Sequence, residues 1–313
     1  MLLTTLPAPH PRQLSARLVA RQVSELLLAR SRRGLALVPQ ERLAGFVFEV
    51  VLSASIAHHP YRDAGTGRWV GVEDASTLGR PVSATAIALS MRLPHTTVRR
   101  RTAELVESGL LVRGKAGFSV APSFFENGVL AHLAADDASD LARALRALAD
   151  AGYAPATTAL NAGVAALPPG VVERLLLAFS LRALETLTDL YGDVTAGTIV
   201  AAITAANVRG ITADPQLAAR YAEEDMPPPD TLREPISLRA LSRAIDLPFE
   251  TVRRRVRALV TQGIVVSKGD GVIVPARVLF GARHIENNRR IALHFEQLLQ
   301  TLVLLTHIGS TAD

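Results

Sequence analysis

The sequence predicts a mainly α-helical fold with small β-hairpins, built by internal duplication. Three observations predict it. First, Leu93 to Val112 (LPHTTVRRRTAELVESGLLV) recurs as Leu247 to Val266 (LPFETVRRRVRALVTQGIVV), with 11 of 20 positions identical at a constant offset of 154 and no gap. The likeness extends at lower density from 80–125 to 234–279, with 16 identities in 46 positions. Second, apolar residues outside these stretches recur mostly at the spacing of helices with a buried face. Third, positive charge is concentrated in the repeat: 80–125 carries +5 and 234–279 carries +4, which leaves −4 for the remainder of a chain whose total is +5. Such clustering is the pattern of a polyanion-binding surface rather than of general solubility.

A chain of 313 residues can bury a proper core in each of two halves, 1–156 and 157–313. It has no cysteine, which removes disulfides, thiolate zinc sites and thiol nucleophiles and fits a reducing compartment, so the expected location is the cytoplasm. The arginine-rich, amphipathic N-terminal stretch has a transit peptide's composition without the order of a signal peptide, and is expected to be a structural helix. The apolar runs Ala44–Ala57 and Ala196–Val208 are too short to span a bilayer, so a soluble protein with no membrane partner is expected. Basic charge is carried by arginine; only Lys115 and Lys268 are lysines.

In chain order, Gln13–Ser31 has helical apolar spacing and is expected to end at Arg32-Arg33-Gly34. Glu41–His58 is apolar almost all round and predicts a buried helix. Tyr61–Gly79, rich in Gly, Asp and Thr, predicts a long loop with a short strand near Trp69. Ser83 is placed to cap a helix through Met91, and Pro94 opens a second helix that runs to Ser108 and stops at Gly109. Leu110–Val112 and Phe118–Val120 flank Arg113-Gly114-Lys115-Ala116-Gly117 as a hairpin with a basic tip. Helices are expected over Pro122–Ala134 and Ala138–Ala151, followed by a loose connector, Gly152–Gly170.

The second half repeats the order. Val171–Tyr191 has the character of the earlier buried helix, and an extra apolar helix, 195–207, has no evident counterpart. A linker, 212–233, with Glu223-Glu224-Asp225 and Pro227-Pro228-Pro229, is expected to be solvated. The second unit, 234–281, has Ser237 as cap, Pro248 at the helix start, Gly263 at its end and Asp270-Gly271 as a two-residue hairpin turn. Arg277–Ile308 is expected to be one long helix.

These residues resemble the winged helix-turn-helix DNA-binding family, particularly bacterial regulators of the MarR, GntR and IclR kinds. The pattern is carried by Ile87-Ala88, Met91-Arg92-Leu93-Pro94, Thr97-Val98-Arg99, Leu105, Gly109-Leu110 and the hairpin in unit 80–126. The second copy supplies Leu241-Ser242, Ile245-Asp246-Leu247-Pro248, Thr251-Val252-Arg253, Leu259 and Gly263-Ile264. The resemblance covers about 90 residues and implies a tandem winged helix-turn-helix on a helical scaffold, with double-stranded DNA as partner.

At about 100° per residue, Val98, Thr102 and Leu105 share one face of the first recognition helix, as do Val252, Val256 and Leu259 in the second. The opposite surface carries His95, Thr96, Arg100 and Ala103, with Arg99 on the flank. Its counterpart carries Phe249, Glu250, Arg254 and Arg257, with Arg253 on the flank. A helix in the major groove would present these residues to base edges, and arginine can pair with guanine O6 and N7. Thr97 and Thr251 near the helix starts suit phosphate oxygens, as do Arg113, Lys115 and Lys268 of the wings. Arg101 and Arg255 point toward the packed side and are expected in internal ion pairs. Because the outer faces differ, the two heads are expected to read different sequences within an asymmetric site.

No nucleophile elbow, phosphate loop, dinucleotide fingerprint or zincin motif occurs, so no catalysis, metal or cofactor is expected. Aromatic residues are only 4% of the chain, which disfavours a base-stacking binder of single strands. The expected function is sequence-specific regulation of transcription by a pseudo-dimer. Alternatives are a replication initiator, which needs the same DNA surface, and a protein-interaction adaptor. A homodimer through scaffold helices and a small-molecule effector remain open.

Overall fold

The computed structural model describes residues 16–37, 42–126, 128–221 and 228–310. The N-terminal stretch 1–15 and the acidic run 223–225 lie outside the described residues. The fold is mainly helical, with two small antiparallel two-stranded sheets. The first half runs α1 (Ala16–Leu37), α2 (Arg42–Ile56), α3 (Ala75–Leu78), α4 (Ala84–Met91), α5 (His95–Glu107), β1 (Leu111–Gly114), β2 (Gly117–Val120), α6 (Pro122–Glu126) and α7 (Val129–Asp150), and then α8 (Ala154–Asn161). The second runs α9 (Pro169–Tyr191), α10 (Val194–Asn207), α11 (Arg209–Ala213), α12 (Pro215–Arg220), α13 (Leu238–Ile245), α14 (Phe249–Thr261), β3 (Val266–Lys268), β4 (Gly271–Ile273), α15 (Ala276–Leu279) and α16 (Ala282–Ser310).

The two stretches that share sequence also share local physics, position by position. Ser83 Oγ accepts from the Ala86 amide at 3.1 Å and Ser237 Oγ from the Ala240 amide at 3.2 Å, so each caps the first helix of its unit. That helix ends on a left-handed residue, Arg92 (φ 51°) or Asp246 (φ 48°), the two non-glycine residues with positive φ among the described residues. The left-handed step costs about 1 kcal/mol at a non-glycine residue; here it turns the chain so that Leu93 and Leu247 amides reach the Ala88 and Ser242 carbonyls. Pro94 and Pro248 then lead into α5 and α14, and Gly109 (φ 73°) and Gly263 (φ 70°) take the chain out of them. Val82 bridges Phe118 as Ile236 bridges Val272, adding one strand-like residue to each hairpin.

Both hairpins need glycine at one strand position. A Cβ on Gly117 would stand 2.4 Å from the Val82 carbonyl oxygen, and one on Gly271 2.7 Å from that of Ile236. Gly271 therefore belongs to β4, and the second hairpin turns at Gly269-Asp270, with Gly269 at φ 54°. The expected Asp270-Gly271 turn is thus displaced by one residue. In the first hairpin β1 and β2 extend to Gly114 and Gly117, so the tip shrinks to Lys115-Ala116.

Several expectations are corrected. The apolar helix 195–207 is not an unmatched extra: α10 packs on α13, α14 and β4 as α2 packs on α4, α5 and β2. The Ser55 carbonyl accepts from the Arg80 amide and the Asn207 carbonyl from the Glu234 amide, each at 3.0 Å. The spacing from 55 to 80 differs from that from 207 to 234 by two residues, which hid the match from an ungapped comparison. α1 does not stop at Arg32-Arg33-Gly34, because Arg33 points into the protein and bonds Asp137 and Asp140 of α7. The same bonds keep α7 helical through Asp136-Asp137, where a break was expected. The connector 152–170 contains α8, whose Ala156 and Ala159 are fully buried. The linker 212–233 contains α12 and a 3-10 turn at Asp230–Leu232. The C-terminal helix is two helices, parted at Phe280-Gly281.

Helices of the two halves pack on one another. α1 packs on α7 and α16, and α9 packs on α16 and α7, around one core that includes Val23, Leu145, Leu176 and Phe295. Each repeated unit has its own smaller core beside it. By length and hydropathy, 282–309 of α16 could cross a membrane; Ile291, Phe295, Leu298, Leu299, Leu302 and Leu305 of that helix are buried in the shared core.

Gly117→Ala and Gly271→Ala should each lower stability by more than about 2 kcal/mol, since the methyl meets a backbone oxygen that cannot move independently. Urea denaturation checks this; midpoints at the wild-type value would show that the hairpins do not press on Val82 and Ile236.

Candidate nucleic-acid interface

The first unit presents a cationic helix over an apolar one-sided anchor. Val98, Thr102 and Leu105 of α5 are buried, and the Thr102 hydroxyl donates to the Val98 carbonyl at 2.9 Å. This anchor fixes the rotation of α5, so that His95, Thr96, Arg99, Arg100 and Ala103 are exposed and Thr97 is half-buried. Pro94 offers no side-chain cap, and its carbonyl accepts from the Thr97 and Val98 amides at 2.9 and 3.2 Å. Arg100 is held only loosely, its Nε 4.0 Å from Glu104. Arg101 is buried and donates to Glu104 at 2.7 Å, as its inward position required. Arg113 on β1 and Lys115 at the hairpin tip are exposed.

The second unit has the same anchor, Val252, Val256 and Leu259, but a different outer surface. Phe249, Glu250, Arg253, Arg254 and Arg257 are exposed and Thr251 half-buried. Arg253 is committed to its neighbour, with Nε and Nη2 donating to Glu250 at 2.9 and 2.6 Å. Arg255 reaches Asp193, the N-cap of α10, at 2.9 Å, which ties α14 to the helix that supports it.

Lys268 is not available as a wing cation. Its Nζ donates to the carbonyls of Asp230, Thr231 and Arg233 at 2.7, 3.4 and 2.7 Å, so it staples β3 to the turn before the unit. Sequence spacing placed it on a hairpin but could not show that this turn folds beneath it. Conversely, Arg239 and Arg243 of α13 are exposed, and Arg239 lies 5.6 Å from the Phe249 ring centre. Their signal was the charge of the second segment, since the first unit has Thr85 and Leu89 at the matching places. The first unit thus concentrates cations on the second helix and wing, the second on both helices.

The first unit is fastened to the shared core. Arg92, at the left-handed turn between α4 and α5, bonds Asp189 of α9, and Arg290 of α16 meets the same carboxylate at 3.3 Å. Among the described residues no group of His, Asp and Glu is arranged to hold a metal ion. No family model matches the chain, and neither a curated protein nor a solved structure matches it significantly.

Lys268→Ala should cost about 1–2 kcal/mol, the worth of charge-assisted bonds at a half-buried site, whereas Lys115→Ala should leave stability unchanged. Equal urea midpoints for the two variants would refute the staple.

Proposed function

We propose that the chain is a single-chain pseudo-dimer that binds double-stranded DNA through two non-identical winged helix-turn-helix heads and regulates transcription. The observation that carries this reading is the first head: Arg99 and Arg100 exposed on a helix whose opposite face is anchored, flanked by a wing with two exposed cations. A helix of this width fits the major groove, with arginine forks directed at guanine and the threonines and wing at phosphate. The partner is duplex DNA in aqueous solution, with no membrane and no catalysis.

The heads take different parts. His95, Thr96 and Ala103 read for one head, and Phe249, Glu250 and Arg257 for the other, so the target is two unlike half-sites set at a spacing imposed by the core. In the second head Glu250 neutralises Arg253 until a base or phosphate displaces it, which makes that head selective at the expense of affinity. Arg239 and Arg243 supply its phosphate contacts in place of wing cations.

A second reading has one specific observation in its favour. Because Lys268 is stapled and Arg253 is paired, the second head offers less free charge where the first offers most, as an adaptor head that docks protein would.

In anisotropy titrations against duplex DNA over a range of salt, Arg99→Ala/Arg100→Ala should weaken binding by about 1–3 kcal/mol for each lost guanine pair, and Arg113→Ala/Lys115→Ala should reduce the slope of log affinity on log salt by about 2, near 0.9 for each lost phosphate contact. Unchanged binding would sink the DNA reading. Glu250→Gln should release Arg253 and raise non-specific affinity with a slope steeper by about 1. If neither Glu250→Gln nor Arg253→Ala/Arg254→Ala changes binding, the second head is an adaptor.

A further inference from the structure

The duplication supplies an internal control for every core position, and one region departs from it. In the first half a small cavity of about 30 Å³ lies where α1, α2, α6, α7 and α9 meet. Its walls include Phe48, Leu52, Leu130, Leu133 and Leu177. In the second half the matching helices, α9, α10, α15, α16 and α1, enclose about 110 Å³. The buried faces fix the correspondence. Ile291, Phe295, Leu299 and Leu302 of α16 match the buried Asp137, Leu141, Leu145 and Leu148 of α7 at the offset of 154. Ile199, Val200 and Ile203 of α10 match Val47, Phe48 and Val51 of α2 at 152. In those registers Leu52 is replaced by Thr204, Leu130 by His284, Leu133 by Asn287 and Phe48 by Val200, while Glu49 and Asp137 are replaced by Ala201 and Ile291. Three of these changes put polar side chains where the first half has leucine, and the others exchange aromatic or charged side chains for aliphatic ones.

The polar groups introduced there are not satisfied by one another. Thr204 Oγ1, Asn287 Oδ1, Arg21 Nε and Arg233 Nη1 are buried without a hydrogen-bond partner among the described residues. All four side chains line this one cavity. Arg233 is 2% exposed and Asn287 4% exposed. Arg233 Nη2 donates to the Pro228 carbonyl at 3.1 Å and Nε stands 3.2 Å from Asp230 Oδ1, which holds the guanidinium in place and leaves Nη1 unmet. A buried guanidinium with an unmet N–H costs several kcal/mol unless something fills the site. The remaining wall is apolar, formed by Leu187, Ile211, Phe280 and Ile291 among others.

We propose that this second-half cavity binds a small organic carboxylate, with Arg233 and Thr204 holding the carboxylate and the apolar wall holding a body no larger than one six-membered ring. The unmet Nη1 of Arg233, on a guanidinium held by Pro228 and Asp230, can donate to a carboxylate oxygen as a charge-assisted bond. An apolar cavity of about 150 Å³ admits a benzene-sized guest, which sets the size limit here. Asn287 Oδ1 accepts from a hydroxyl or ammonium on the body when one is present. His284 adds no competing charge: burial, with Arg233 nearby, pushes its imidazole down to about 4, and its Nδ1 lies 2.9 Å from the Tyr191 hydroxyl. The cavity touches α10 and α15, which flank the second repeated unit, but the proposal stands without any DNA activity.

The test is calorimetric titration of the full chain with benzoate, isovalerate, the uncharged analogue benzamide and inorganic phosphate. A carboxylate should bind at least about tenfold more tightly than benzamide, and the His284 ring resonances in NMR should move as it binds, because His284 lines the cavity. Thr204→Leu/Asn287→Leu, which rebuilds the first half's own packing, should abolish binding while keeping or raising the melting temperature. Arg233→Lys should weaken the carboxylate about tenfold with little change for benzamide, and it decides the matter if the double variant fails to fold. No saturation by either carboxylate at millimolar concentration, equal binding of benzamide, preference for phosphate, or undiminished binding in the folded variants would overturn the proposal.

Discussion

Everything in this molecule depends on the reciprocal packing of four long helices. α1 and α7 come from one half and α9 and α16 from the other, yet each of α1 and α9 is buried against both α7 and α16. Phe295, Leu302, Leu148 and Val171 are fully buried in that seam, and each such side chain contributes about 1.5–3 kcal/mol relative to exposure. Neither half can keep these residues dry alone, so the two repeated units are fixed to one body. Arg30 of α1, which bonds Asp137 of α7 and Glu173 of α9, adds a buried ion cluster at the same junction. Breaking it would strand buried charge, so it enforces a register more than it adds stability.

That shared body lets the two heads diverge. Their inner faces are under the same constraint, a valine and a leucine turned into a small core, and there the two copies agree. On the outer faces Arg99-Arg100 and Arg253-Arg254 also agree, while His95, Thr96 and Ala103 differ in charge and shape from Phe249, Glu250 and Arg257. The difference extends to the hairpins: one keeps Lys115 at a two-residue tip, while the other turns Lys268 back onto its own chain. A separate homodimer could not hold such differences, because one sequence would have to serve both heads.

The same freedom operates in the interior. The first half closes its junction with leucine and phenylalanine beside the paired Arg30, Asp137 and Glu173; the second has Thr204, His284, Asn287 and Val200 there, beside the buried Arg233. Core positions tolerate such exchanges only when the new polar groups acquire partners. A duplicated chain can give up packing in one copy because the other copy and the shared seam still hold the fold.

The sequence by itself determined the local units. Cap, proline start and glycine exit are chemical necessities written in single residues, so Ser83, Pro94 and Gly109 and their partners Ser237, Pro248 and Gly263 were legible, as was the buried face of each second helix. The outward face of α5 was legible for the same reason, since helical periodicity alone separates Arg99 and Arg100 from Val98. Only the tertiary structure decided what depends on distant neighbours. It continued α1 through Arg33 and α7 through Asp137 because an ion pair joins them. It paired α10 with α2 across a two-residue change in spacing, moved the second turn to Gly269 because a backbone oxygen crowds Gly271, and withdrew Lys268 from the wing. In each case the deciding partner is far away in the chain, and no local propensity encodes it.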